Sequence, residues 1–451
     1  MNELGRTAFL QKIREGQQIQ YTDTTFRDAH QSLVATRMRS KDILAVADGF
    51  ALENPEIFSA EVWGGATFDV ALRFLHECPW ERLQKIRAAM PNILLQMLFR
   101  GSNAVGYSAY PRNIIQQFVA KAWENGIDIF RIFDSLNNIE SMLPAIKYVS
   151  EDTQAIAQAC LCYTGDVLRK DHNKYNLNYY VDLAKRLEDA GAHMLAIKDM
   201  AGLLKPNAAE VLIPMLRENV NIPIALHTHD TAGTQIATYL KAIEAGIDSI
   251  DCALASFSGT TSQPSLNSMA ALMKGNVREN QLNIKSLNDY SNYWEAVREM
   301  YYPFESDLKS STAEVYDNEI PGGQYSNLRQ QAEGVGLGHQ IAKIKENYTT
   351  VNQLFGDIVK VTPSSKVVGD MALFMTANSL SADDVLDENQ NHSFPASVVG
   401  FFKGDLGVPF GGFPEKLRNI VLRNEKEIPA PKAQLLPDVD ITASSNGFYE
   451  K

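Results

Sequence analysis

Cysteine is scarce in this chain of 451 residues: there are four, at positions 78, 160, 162 and 252, and no two form a CxxC pair. That excludes a disulfide framework and a zinc ribbon; Cys160, Cys162 and Cys252 fall in apolar, strand-like runs where reduced core thiols are expected. Long hydrophobic runs are also missing. No uninterrupted apolar segment reaches the roughly 18 residues that span a bilayer, and no apolar signal core opens the chain, so a cytoplasmic protein is expected. Basic charge is outnumbered, with 42 Lys and Arg against 54 Asp and Glu and a net charge of -12. With no basic stripe interleaved with aromatics, nucleic acid is excluded as a partner. No GxGxxG follows the first strand-like run, which argues against a dinucleotide-binding open sheet.

What the sequence does have is rhythm. Eight apolar, β-rich runs recur at intervals of roughly 25 to 40 residues, each followed by a helical pattern. They cover residues 18–24, 57–63, 93–99, 127–133, 155–163, 193–198, 222–228 and 247–254. Gly126, Gly191 and Gly246 each stand after an amphipathic stretch and just before the next strand, the left-handed cap position of a helix. Eight βα units predict an α/β fold, a closed (β/α)8 TIM barrel; a doubly wound open sheet is the alternative. The expected organisation is an N-terminal extension over 1–15, the barrel over 16–275 and a mainly helical module over 276–425. A linker or disordered tail is expected over 426–451, where Pro429, Pro431 and Pro437 precede Ser444-Ser445-Asn446-Gly447. Within the module, helices are expected over 286–305, 327–345 and 415–424.

A barrel of this kind builds its chemistry at the C-terminal ends of its strands, and the polar residues fall there. Strand 1 leads into Asp23-Thr24-Thr25-Phe26-Arg27-Asp28, strand 2 into Trp63-Gly64-Gly65, strand 3 into Arg100-Gly101, strand 4 into Asp134-Ser135 and strand 6 into Lys198-Asp199. Strand 7 ends in His227-Thr228-His229. Residues i and i+2 of a strand share a side, so both imidazoles face one point, half of a divalent-metal site. Two polar residues closing a strand are the plainer alternative. Either Asp28 or Asp23 could supply a carboxylate; Asp23, at the strand end, has a capping role open to it.

Several segments carry a family resemblance. Asp-Thr-Thr-Phe-Arg-Asp-Ala-His-Gln-Ser (23–32), Glu-Val-Trp-Gly-Gly-Ala-Thr-Phe-Asp-Val (61–70), Leu-Phe-Arg-Gly-Ser-Asn-Ala-Val-Gly-Tyr (98–107), Ile-Lys-Asp-Met-Ala-Gly (197–202) and His-Thr-His-Asp-Thr (227–231) resemble the carboxyltransferase domain of the pyruvate carboxylase family. Its relatives are the α subunit of oxaloacetate decarboxylase and the transcarboxylase 5S subunit. The resemblance continues through Pro-Gly-Gly-Gln-Tyr-Ser-Asn (321–327), Val-Thr-Pro-Ser-Ser-Lys (361–366) and Gly-Gly-Phe-Pro-Glu (411–415), and so covers about residues 15 to 430. It implies a divalent metal, zinc or manganese, held by Asp28, His227, His229 and Lys198. An ammonium cannot ligate a cation, and the resemblance implies that Lys198 is carbamylated to give an anionic oxygen. It further implies that Arg27, Gln31 and Arg100 hold a keto acid and that Thr362 shuttles a proton between substrate and biotin. Asp69, Tyr107, Gln324, Ser365 and Lys366 are implied to surround the incoming biotin.

The reaction so implied moves a carboxyl group from carboxybiotin to pyruvate, giving oxaloacetate. No Ala-Met-Lys-Met biotinylation motif and no Gly-rich ATP-grasp segment occurs in the sequence. Biotin would therefore arrive on a separate carrier domain or subunit, served by a biotin carboxylase, in a homodimer or larger assembly. Running the transfer from oxaloacetate to biotin beside a membrane partner, as in the decarboxylase relatives, is the alternative. A silent scaffold subunit is a remote one.

Overall fold

The computed structural model describes residues 1, 4–170, 174–305, 308–423, 425–429 and 431–440. Each expected run forms a parallel strand: β1 (Gln20–Asp23), β2 (Ser59–Gly64), β3 (Leu94–Phe99), β4 (Ile129–Ile132), β5 (Ile156–Cys162), β6 (Met194–Asp199), β7 (Ile224–Thr228) and β8 (Ser249–Cys252). Neighbours in sequence are neighbours in space, and β1 pairs with β8 to close the barrel. The open-sheet alternative is thereby excluded. Several strands start later than the apolar runs because burial extends below the hydrogen-bonded ladder: Ile19, Ile57, Ile93, Ile127 and Ile247 are all buried. Cys160, Cys162 and Cys252 are buried free thiols, as their apolar context requires, and Cys78 is exposed. Gly126 adopts φ 113° after the helix Arg112–Glu124, and Ile127 N–H reaches back to Ala122 O at 3.1 Å to seal that end.

The first helix, Arg6–Glu15, buries Leu10 and Ile13 in the barrel core, and Arg14 pairs with Asp248 at 3.4 Å. Beyond the barrel the helices divide between two cores. Helix Ile284–Glu299 sends Leu287 and Trp294 into the barrel core, with the Trp294 ring edge-on to Phe26 at 6.0 Å. Helices Gly322–Gly334, Ile341–Leu354, Ser364–Ala377, Ala396–Lys403 and Glu415–Leu422 share a second core containing Tyr348, Phe355, Met371 and Phe401. Leu136, from the loop after β4, also packs into it and ties the two together.

The helix expected over 327–345 is in fact two. Gly336 takes φ 77° and Leu337 N–H turns back to Ala332 O at 2.7 Å, a C-terminal cap that ends the first before the second begins. The helix expected over 286–305 stops at Glu299, and Pro303 lies in a tighter turn, Tyr302–Phe304. The described part of the segment expected as linker from 426 is mostly exposed but is pinned to the fold at several points. Ile428 N–H donates to Lys403 O at 2.9 Å, Lys432 Nζ bonds Asp405 Oδ1 at 3.1 Å, and Asn113 Nδ2 donates to Val439 O at 2.7 Å. The prolines fix φ along an extended segment and so lower the entropy cost of docking it. Residues 441–451 lie outside the described residues. No helix among those described is long and apolar enough to cross a membrane.

Candidate active site

Strand alternation delivers the histidine pair to one point. His227 Nε2 and His229 Nε2 lie 3.2 Å apart, and Asp28 Oδ2 stands 3.3 Å from the first and 3.5 Å from the second. Asp28 gets there because the chain leaves β1 in a wide turn, Thr25–Ala29, closed by Ala29 N–H on Thr24 O at 3.1 Å. Such a widened turn is a frequent device at functional sites. Each imidazole is held from behind by its other nitrogen: His227 Nδ1 faces Asp251 Oδ2 at 2.7 Å, and His229 Nδ1 donates to Thr261 O at 2.5 Å. With the protons on Nδ1, both Nε2 lone pairs point at Asp28, the arrangement a cation needs. Burial, with Lys198 next for His227, pushes both imidazoles below their usual range and keeps them neutral. Burial alone would raise the Asp28 carboxyl, but Arg27, the two histidines and Lys198 hold it far below the carboxylate range.

Lys198 on β6 pairs in register with His227, and its Nζ is buried with no hydrogen-bond partner among the described residues. Asp23, the other carboxylate considered, turns to its own loop: Oδ1 accepts from Thr25 N–H at 3.1 Å and Thr25 Oγ1 at 2.6 Å. Burial pushes it up to about 7, against those hydrogen bonds.

A cavity of about 340 Å³ opens over the cluster, and Arg27, Asp28, Gln31, Arg100, Tyr107, Lys198, His229, Gln324 and Thr362 all line it. Arg27 Nη1 pairs with Asp28 Oδ1 at 3.0 Å and donates to Gln31 Oε1 at 3.1 Å, while Gln31 Oε1 also accepts Ala66 N–H at 3.0 Å. Arg100 is anchored through Nη1 on the Val105 and Gly106 carbonyls, at 2.9 and 3.2 Å, and its guanidinium lies 4.8 Å from the Tyr107 ring centroid. Its Nε has no hydrogen-bond partner among the described residues. Gly65, at φ 56°, lets the backbone approach this cradle: a Cβ there would come within 2.8 Å of both Arg27 Nη1 and Gln31 Oε1. Gly65→Ala would add left-handed strain of about 1–2 kcal/mol to that clash. That strain is expected to lower the melting temperature; thermal denaturation checks it, and an unchanged value would refute the close approach at Gly65.

Thr362 is brought to the mouth by the helical module. Ser364 Oγ accepts Val361 N–H at 3.1 Å and reaches Ser135 O, after β4, at 3.1 Å. The buried Lys360 pairs with Glu319 Oε2 at 2.7 Å, and Lys174 Nζ donates to Asp357 O at 2.7 Å. Thr362 also borders an adjoining cavity of about 530 Å³, which Tyr107, Gln324 and Lys366 share. Lys366 pairs with Asp370 at 2.6 Å. Two of the residues expected around biotin line neither cavity: Asp69 chelates Arg73 at 2.7 and 2.8 Å on an exposed helix face, and Ser365 is fully buried.

Four residues of the site escaped sequence reasoning. Gln263 Nε2 donates to Asp28 Oδ2 at 2.9 Å, and Glu61, Arg131 and Asp251 form a buried charge cluster beneath the histidines. For the last three a signal existed: each is a lone charge inside an apolar strand, and a charge facing a barrel interior must be paired. For Gln263, in a loop, there was none.

Fold and rim together define an enzyme of the (β/α)8-barrel class, with its polar groups gathered at the strands' C-terminal ends. Residues 315–451 match the family described as Conserved carboxylase domain, and residues 132–293 the one described as HMGL-like. The chain belongs to the pyruvate carboxylase family and corresponds to its carboxyltransferase domain. It is 52% identical over 451 residues to pyruvate carboxylase of Bacillus subtilis, covering 100% of this chain and 39% of that protein. To mitochondrial pyruvate carboxylase of Homo sapiens it is 46% identical over 450 residues, 99% of this chain and 38% of that one. The carboxyl transferase domain of Rhizobium etli pyruvate carboxylase superimposes with a TM-score of 0.98 at 48% identity, covering 100% of this chain and 75% of that one. The same TM-score and identity hold for that domain with pyruvate and biocytin, of which this chain covers 76%. The chain thus spans about two-fifths of the length of these curated relatives, 39% and 38%.

Proposed function

We propose that this chain performs the carboxyltransferase half-reaction of a pyruvate carboxylase, moving a carboxyl group from carboxybiotin to pyruvate to form oxaloacetate. One observation carries the reading: Thr362 faces Arg27, Arg100 and the Asp28–His229 cluster across a single cavity. Neutral imidazoles and an ionised carboxylate suit a zinc or manganese ion, and the unpartnered Lys198 is the fourth element. A buried ammonium with no hydrogen-bond partner among the described residues is costly; carbamylation would make it an anionic oxygen ligand beside His227. A cation held there supplies Lewis-acid polarisation of a keto oxygen. Arg27, Gln31 and the free Nε of Arg100 bind the keto-acid carboxylate and the charge that develops on the enolate oxygen. Once carboxybiotin has released carbon dioxide, the Thr362 hydroxyl takes a proton from the pyruvate methyl while giving its own to the biotin nitrogen, and the enolate so formed attacks the carbon dioxide to give oxaloacetate; Tyr107 and Gln324 shape the approach of the biotin ring.

The pyruvate carboxylase names of the relatives favour this direction over the decarboxylase one. A biotinylated carrier and a biotin carboxylase are the partners it requires. Mixed with both, and with ATP, bicarbonate and pyruvate, the chain is expected to form oxaloacetate, read by a coupled dehydrogenase assay. Alone, it is expected to decarboxylate oxaloacetate faster when free biotin is added. No biotin-dependent rate in either assay would sink the reading.

A further inference from the structure

Barrels of this class fill their interior with layers of branched apolar side chains drawn from alternate strands. Here one layer is charged instead. Glu61 on β2, Arg131 on β4 and Asp251 on β8 are completely buried. Arg131 grips Asp251 with both terminal nitrogens, one of them Nη2 to Oδ1 at 3.0 Å, and reaches Glu61 Oε2 at 3.4 Å. Its Nε donates to Gln158 Oε1 at 2.5 Å, and Gln96 Nε2 donates to Glu61 Oε2 at 2.8 Å. At one end of this chain of charges Asp251 Oδ2 receives the Nδ1 proton of His227 at 2.7 Å. At the other, Glu61 Oε1 binds the Arg27 guanidinium through Nε and Nη2, leaving Nη1 to Asp28 and Gln31. Arg131 Nη1 also lies 3.3 Å from His227 Nδ1. The shorter contact is to the Asp251 carboxylate, which can only accept, so the ring carries its proton on Nδ1 and gives it to Asp251.

We infer that Asp251 and Glu61 are positioning residues joined through Arg131: Asp251 aims His227 Nε2 at the cation site, Glu61 aims Arg27 at the keto acid, and Arg131 holds both in register. A layer that served only to fill the barrel would be cheaper in leucine and valine, because three buried ions carry a desolvation cost that hydrophobic side chains do not. Fixed ring orientation is what that cost secures. Outer groups hydrogen-bonded to a metal-ligating histidine typically govern metal affinity by 10–100-fold. This inference rests on the proposed cation and keto-acid sites.

The two ends make opposite demands, and near-isosteric substitutions separate them. In calorimetric titrations of the metal-stripped chain with Mn²⁺, Asp251→Asn is expected to weaken binding by about 10–100-fold. Its KM for pyruvate, measured at saturating Mn²⁺, should change by less than about threefold. Glu61→Gln should show the reverse pattern, an intact Mn²⁺ affinity with a raised KM, and Arg131→Met should weaken both. Circular dichroism at the working temperature verifies that each variant is folded. A measurement on the parent needs no variant: ¹⁵N-histidine spectra should show His227 protonated on Nδ1. An Nε2-protonated His227, an unchanged Mn²⁺ affinity in Asp251→Asn, or equal losses of both ligands in the two single variants would overturn the inference. A parent chain that binds no Mn²⁺ at all would instead remove the cation site, and the inference with it.

Discussion

Thr362→Ala is expected to cut turnover by about 10²–10⁴-fold in both directions of transfer, the usual weight of a general acid–base step. A hydroxyl that merely lined the cavity would cost about 1 kcal/mol in affinity, with little change at saturation. The two cases part clearly in kcat measured at saturating biotin and pyruvate. Metal content should be unaffected, since Thr362 lines the cavity but is not one of the clustered groups Asp28, His227 and His229. Thr362→Ser, which keeps the hydroxyl, should retain appreciable activity. A Thr362→Ala enzyme working within a few-fold of the parent would show that the proton travels elsewhere.

Removing a ligand should be as severe, by a different route. His227→Ala or His229→Ala takes away one of about four donors and leaves Asp28 facing a single imidazole. Metal affinity should fall by more than the 10–100-fold that an outer-shell change produces, and activity with it. Because a bound ion stabilises the fold that binds it, the melting temperature of the parent should rise on adding Mn²⁺ or Zn²⁺, and that of the variants should not. Elemental analysis decides the point: full occupancy in both variants would defeat the assignment of the cluster.

Much of this site could be read from residue order alone, for a definite reason. A strand's two-residue period places His227 and His229 together wherever the strand lies, and eight βα units leave closure as the economical arrangement. The tight glycine caps, the reduced thiols and the rim position of Arg27, Arg100 and Lys198 follow from equally local rules. The resemblance to a family then supplied Thr362, which nothing in its own neighbourhood of the sequence marks as chemical.

Tertiary structure decided whatever depends on distant partners. The resemblance pointed to Asp28, but how it reaches the histidines depends on a widened turn, with Thr25 capturing Asp23, geometry that residues five apart cannot announce. The docking of the tail through Val439 likewise depends on what that segment meets. The clearest case is the charged layer beneath the histidines: Glu61, Arg131 and Asp251 are 70 and 120 residues apart along the chain and meet because closure brings even-numbered strands to one level. Local preference determined the strands, the barrel and the rim, since those rest on period and pattern. Which charges answer one another inside it was decided by the closed fold, since pairing energy depends on distance in space and not along the sequence.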